Sequence, residues 1–192
     1  MRKPEGRFKW FLASILFAKR ISSDIAKRTF RRFEENSLTS PKAILDAGWD
    51  KLVQVLDSGG YVRYDFSTAS NLLAMSRDLL ERYGSLEEIH ARADGPRQLE
   101  KMLMQFKGVG PVGVNIFLRE LRGEWKKANP IPSKLALETA RRLRIRDANK
   151  VESQLVRIKL EYCKKAACKS CPVRQMCQTR KNKKGRRHVV AH

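Results

Sequence analysis

Acidic residues are scarce in this chain. Twenty Asp and Glu stand against 41 Lys and Arg, a formal charge of +21 over 192 residues. Such a surplus costs self-repulsion in the folded state, and a polyanionic partner gives a physical reason to carry it. Nucleic acid is the first candidate; an acidic membrane surface or an acidic protein comes after it. Long apolar runs are also missing. The longest, Trp10 to Ala18, is interrupted by Ser14, whereas a bilayer crossing needs about 20 residues. No basic stretch, apolar run and small-residue cleavage site follow one another at the start, so the expected compartment is the cytoplasm, in association with the nucleoid. Histidine is limited to His90, His188 and His192, too scattered to suggest a site. Period-two alternation and internal repeats are absent, which argues against sheet and solenoid folds. Hydrophobic residues nevertheless make up 42%, enough for a packed core.

Cysteine is absent up to residue 162 and then occurs four times, as Cys163-x4-Cys168-x2-Cys171-x5-Cys177. A disulfide framework would spread its cysteines along the chain. Four thiols in one loop suit iron–sulfur or zinc ligation. Structural zinc sites commonly pair two separated Cys-x2-Cys units, and only one such pair is present here. The uneven single loop favours a 4Fe-4S cluster, with zinc as the alternative. Lys164, Lys165, Lys169, Arg174, Arg180 and Lys181 surround these cysteines, and no acidic residue follows Glu161. That charge would offset the thiolates and face a phosphate backbone.

Helical periodicity and capping residues predict an all-α chain of about ten helices. The segments are Arg7–Arg20, Asp24–Glu34, Pro41–Gly48, Asp50–Ser58, Phe66–Tyr83, Ser85–Ala93, Gln98–Phe106, Pro111–Gly123, a helix capped by Ser133 and ending near Arg142, and Lys150–Tyr162. Glu124–Pro132 is expected to link two parts, and the basic stretch Lys181–His192 to be mobile. Trp10, Trp49, Phe11 and Phe17 are expected in the core.

The turn Lys107-Gly108-Val109-Gly110-Pro111 joins two of these helices. Glycine permits positive φ and close backbone approach, and Pro111 is suited to the first helical position. Val109 should point into the helix–helix core. The unpaired amides at the start of the second helix, reaching Gly113, carry the positive end of its dipole, and Lys107 adds a full charge beside them. Such a hairpin grips phosphates without reading sequence.

A helix–hairpin–helix followed some residues later by a four-cysteine loop resembles the endonuclease III family of DNA glycosylases. The segment Gly60-Tyr61-Val62-Arg63-Tyr64-Asp65 is similar to the family's turn into a core helix, and Asn115, Leu118 and Gly123 fit its hairpin helix. The first cysteine gap is shorter than the family's. The resemblance implies a six-helix barrel domain with the hairpin at about 98–122 inside 7–123, a smaller helical iron–sulfur domain over 124–192, and a monomer that binds damaged or mismatched duplex DNA. It also implies that Lys107, Gly108, Val109, Gly110 and Gly113 hold the backbone, and that Lys19 and Tyr64 reach the base stack.

The family's catalytic positions are altered. A lysine that forms a Schiff base is replaced by Val112, and a catalytic aspartate by Ser133. Neither side chain can do that chemistry. The resemblance therefore implies either a monofunctional glycosylase using another carboxylate, or a DNA- or RNA-structure binder without catalysis. Asp65 is the preferred carboxylate, with Asp24 and Glu120 behind it; its competing role is to cap the helix at Phe66. Lys134 is a displaced amine candidate, but a phosphate-facing role suits it better. Tyr61, Tyr64 and Trp125 are candidates for stacking on a flipped base.

Overall fold

The computed structural model describes residues 3–178. The basic stretch 181–192 lies outside them. Among the described residues the chain forms nine α-helices and no strand. It divides into two compact units, residues 1–130 and 131–192.

Helix α1 (Pro4–Phe17) runs through the first unit. Phe8 and every residue from Phe11 to Leu16 are buried, so the second half of this helix is covered on all sides. Its interior Ser14 is satisfied by donating to the Phe11 carbonyl at 2.7 Å. The helix begins earlier than its periodicity suggests because Pro4 takes the first helical position. Around it lie α2 (Ser23–Glu35), α3 (Pro41–Ser58), α4 (Asp65–Arg82), α5 (Leu86–Arg92), α6 (Pro96–Met104) and α7 (Pro111–Arg119). Ser22, Ser40 and Ser85 cap α2, α3 and α5 by accepting from the amides of Ile25, Ala43 and Glu88. Helix α3 joins two predicted helices. The chain changes direction between them at Gly48, whose φ of +73° is left-handed.

Phe11, Phe117 and Trp125 meet edge to face, with centroids 4.9 and 5.7 Å apart. Trp125 and Ala128 are buried in the same core. The first unit therefore continues to Pro130 rather than stopping at Gly123.

The second unit has its own small core. Ala136, Ala140 and Leu143 of α8 (Lys134–Leu143) pack with Ala148 and with Leu155 of α9 (Glu152–Ile158). Ser133 caps α8. A 3-10 turn, Asn149–Val151, precedes α9, and the π-helical segment Lys159–Cys163 follows it. The predicted helix Lys150–Tyr162 is thus three short pieces with different hydrogen-bond spacing.

Candidate nucleic-acid interface and cysteine loop

The hairpin between α6 and α7 is held from two sides. Gly108 has φ +81°. A Cβ there would lie 2.5 Å from Nδ2 of Asn71 on α4, so both the conformation and the neighbour require glycine. Gly113 is buried, and a Cβ on it would touch Ala18, just past the end of α1, at 3.5 Å. Val109 is buried in the core, as expected. Gly110 is different. Its backbone is extended and nothing lies within 4 Å of where its Cβ would be. The expected positive φ and close backbone approach occur at Gly108 and not at Gly110.

No side chain caps α7. The amides of Val112 and Gly113, the first available after Pro111, therefore lack a side-chain acceptor. The aligned peptide dipoles add partial positive charge at this end. Lys107 is exposed beside it. Val112 stands out from the turn, 57% exposed.

The Ala18–Gly113 contact places the end of α1 against α7, and Lys19 follows directly. Its ammonium lies 5.9 Å from the centroid of the Tyr64 ring, and the guanidinium of Arg63 lies 5.6 Å from the same ring. Lys19 and Tyr64, chosen separately from the sequence, are therefore neighbours. Tyr61 is not a stacking residue. It is fully buried and donates to the Leu16 carbonyl at 2.9 Å, and burial pushes its phenol well above the usual value. Trp125 is likewise buried, stacked on His90 at 4.6 Å. Neither ring is open to a base.

Asp65 is 8% exposed. Its Oδ1 accepts from the Phe66 amide at 2.6 Å, which ties it to the first turn of α4. Asp57 lies close enough to interact with it. Removal from water, then the Asp65 hydrogen bond and charge, raise Asp57 above the ordinary carboxylate value. This carboxyl pair, eight residues apart across a turn, was not read from the sequence. Asp24 lies in the first turn of α2, and Glu120 forms an ion pair with Arg119 at 3.4 Å. Lys134 opens α8.

Ser133 is occupied as a helix cap. Its Oγ accepts from Ala136, and its own amide donates to Glu152 Oε1 at 2.8 Å. Glu152 is 2% exposed. A carboxylate thus does reach the start of α8, supplied from nineteen residues downstream. No local motif signals it.

Cys163 closes the π-helical segment, and Cys177 packs against the second core. Burial raises the Cys163 thiol first; Arg142 acts against that, and Cys171 and Cys177 act with it, as charges close enough to be felt. Lys159 also lowers it. Cys168 is exposed. Among the described residues no three His, Cys, Asp or Glu side chains form a preassembled metal site. The donor set itself is uniform: four free thiols, with Arg142 and Lys159 able to offset thiolate charge. That chemistry fits a soft metal or an iron–sulfur cluster.

No protein-family model matches the chain, and no curated protein matches it significantly. No described helix is long and apolar enough to cross a membrane.

Proposed function

We propose that this chain is a DNA-repair protein of the endonuclease III type, which binds damaged or mismatched duplex DNA and removes a base by a monofunctional N-glycosylase mechanism. The observation that carries the reading is the uncapped start of α7 beside Lys107, in a hairpin whose Gly108 packs on Asn71. An uncapped helix start beside an exposed ammonium suits an anion such as a phosphate. The chain's +21 charge supports a polyanionic partner. Lys19, Arg63 and Tyr64 extend the same surface through the Ala18–Gly113 contact. In this reading the helices of the first unit are the family's six-helix barrel.

The chemistry follows from what is missing. Val112 has no nucleophile where the family has lysine, so a Schiff base with the sugar does not form there. Asp65 is the candidate carboxylate to stabilise positive charge as the base leaves. Cys163, Cys168, Cys171 and Cys177 are the ligands for a 4Fe-4S cluster, with zinc as the alternative. The group would cross-link the loop from 163 to 177.

A second reading also has an observation in its favour. Asp65 is engaged by the Phe66 amide and by Asp57, and Ser133 is engaged as a cap. With these groups occupied, the same surface would recognise DNA damage or nucleic-acid structure without cutting. Incubation with a panel of lesion duplexes followed by alkali separates the two. Strand breaks that require alkali establish a monofunctional glycosylase. Tight lesion binding with no break on any duplex establishes the binder.

A further inference from the structure

The second unit leaves a group of arginines without counter-charge. Four acidic residues occur from residue 131 onward, and all are engaged. Glu138 pairs with Lys159 at 2.7 Å, Asp147 with Lys150 at 3.8 Å and Glu161 with Arg157 at 3.0 Å, while buried Glu152 accepts from the Ser133 amide. Arg141, Arg142, Arg144 and Arg146, at the end of α8 and just beyond it, are exposed. No described carboxylate pairs with Arg141, Arg144 or Arg146. The helix end holds these side chains outward. The Arg144 amide donates to the Arg141 carbonyl at 3.3 Å and the Ile145 amide to the Ala140 carbonyl at 3.0 Å, the closure typical of a left-handed cap. Ile145 packs against the second core, so the arginines on either side of it stay in water. Arg144 has φ +56°, where glycine is the favoured residue. The helix dipole favours cations in the last turn, which accounts for Arg141 and Arg142. Arg144 and Arg146 lie past that turn, and at 144 arginine costs stability that glycine would not.

We propose that the arginines at the end of α8 form a second phosphate-binding surface, separate from the hairpin, that holds the backbone of duplex DNA. The proposal rests on the nucleic-acid reading above and adds a site to it. Three observations choose this occupant. First, the cluster is cationic and has no internal counter-charge, so it attracts a polyanion rather than a neutral surface. Second, it is built of guanidinium groups alone. Their planar forks of N–H donors match two phosphate oxygens at once, which a lysine ammonium does not. Third, rings to stack on are missing. Tyr162 is the only Phe, Trp or Tyr from residue 131 onward, and it is half-buried. Sites for single strands combine charge with exposed rings. A surface that offers charge without rings suits the outside of a duplex, where phosphates are presented and bases are not.

The test titrates the full chain with a fluorescent, fully paired DNA duplex over a range of salt. The triple variant Arg141→Gln, Arg144→Gly and Arg146→Gln should bind about 10-fold or more weakly at physiological salt. Its slope of log affinity against log salt should be smaller by about three, one for each phosphate contact removed. Arg142 is kept, because its charge acts on the Cys163 thiol. Arg144→Gly alone should move two readouts in opposite directions. Thermal stability should rise, since glycine relieves the left-handed backbone, while the salt slope falls by about one. A variant that is more stable and binds less well is no folding artefact. A charge-matched control, Arg32→Gln, Arg92→Gln and Lys150→Gln, removes cations already paired with Glu35, Glu88 and Asp147, and its slope should stay near that of wild type. Equal losses in the two triple variants would mean that net charge alone is felt, which overturns the site. An unchanged slope in the arginine variant, with Lys107→Glu still weakening the wild type, also overturns it and leaves the hairpin standing. Arginine-dependent binding to vesicles containing phosphatidylserine, with duplex binding unaffected by the same changes, would assign the surface to a membrane and overturn it too. If the wild type binds no duplex, the nucleic-acid reading itself fails, and this site with it.

Discussion

Gly108 lies against Asn71 so closely that a Cβ on it would stand 2.5 Å from the Asn71 Nδ2 atom. Two hairpin glycines therefore do different work. Gly108→Ala should cost about 1–3 kcal/mol in urea unfolding, from left-handed backbone strain and displacement of Asn71. Gly110→Ser should leave stability unchanged or slightly raised, since serine is a good N-cap and meets nothing within 4 Å. Its affinity for duplex DNA should nevertheless fall, because the new hydroxyl occupies the first amides of α7. Equal affinity in Gly110→Ser and wild type would remove those amides from the binding site.

The Asp57–Asp65 pair makes a prediction of definite sign. Asp57 is raised in the folded state, so its proton stabilises folding below the unfolded value of 3.8. That stability is lost as pH rises through the folded value, leaving two carboxylates in repulsion at neutral pH. Asp57→Asn should raise the melting temperature at pH 7 and lose this advantage near pH 3. A variant less stable than wild type at pH 7 would mean that Asp57 makes a folded-state contact that outweighs the cost of its charge.

His90 titrates in the opposite sense. Burial lowers it from 6.5, Lys127 and Arg7 lower it further, and Glu87 opposes them. The folded state binds this proton less well than the unfolded chain. Stability should therefore fall as pH drops through 6.5 toward the lowered value. Because His90 stacks on Trp125, tryptophan fluorescence reports the change. His90→Gln should flatten stability between pH 7.5 and 5.5, and an unaltered slope would assign the pH dependence elsewhere.

Glu152 braces the start of α8 through the Ser133 amide. Glu152→Ala should destabilise the second unit by about 1–2 kcal/mol, since it removes the acceptor of the half-buried Ser133 amide. Glu152→Gln, which keeps an acceptor oxygen, should cost less. Hydrogen exchange at the amides of 133–143 would show whether the loss is local to α8.

Reconstitution with iron and sulfide under anaerobic conditions should give a brown protein with broad visible absorption. Cys171→Ser should bleach it and loosen the loop from 163 to 177. A colourless protein carrying one zinc would assign the thiols to that metal instead.

Much of this was legible from local chemistry. Ser133 marked a helix start, because a serine hydroxyl caps amides two or three residues ahead, whatever the tertiary context. Pro111 marked the start of α7 for a similar reason. The failures are non-local or follow a break in periodicity. Trp49 looked like core because aromatic residues at helical spacing usually are; the left-handed Gly48 breaks that phase, and Trp49 lies exposed beyond it. Tyr61 and Trp125 looked like stacking residues, yet both fill the first unit's core. The Asp57–Asp65 and Ser133–Glu152 pairs arise from chain reversals, and neither spacing is a motif. The hairpin was readable because glycine positions and dipole direction are both written locally.

The most direct measurement is duplex affinity as a function of salt. Amides and lysines gripping about six phosphates predict a steep linear fall of log affinity with log salt, near five powers per decade. Lys107→Ala should lower that slope by about one. An affinity that stays flat from low to physiological salt would contradict the claim that this hairpin holds a phosphate backbone.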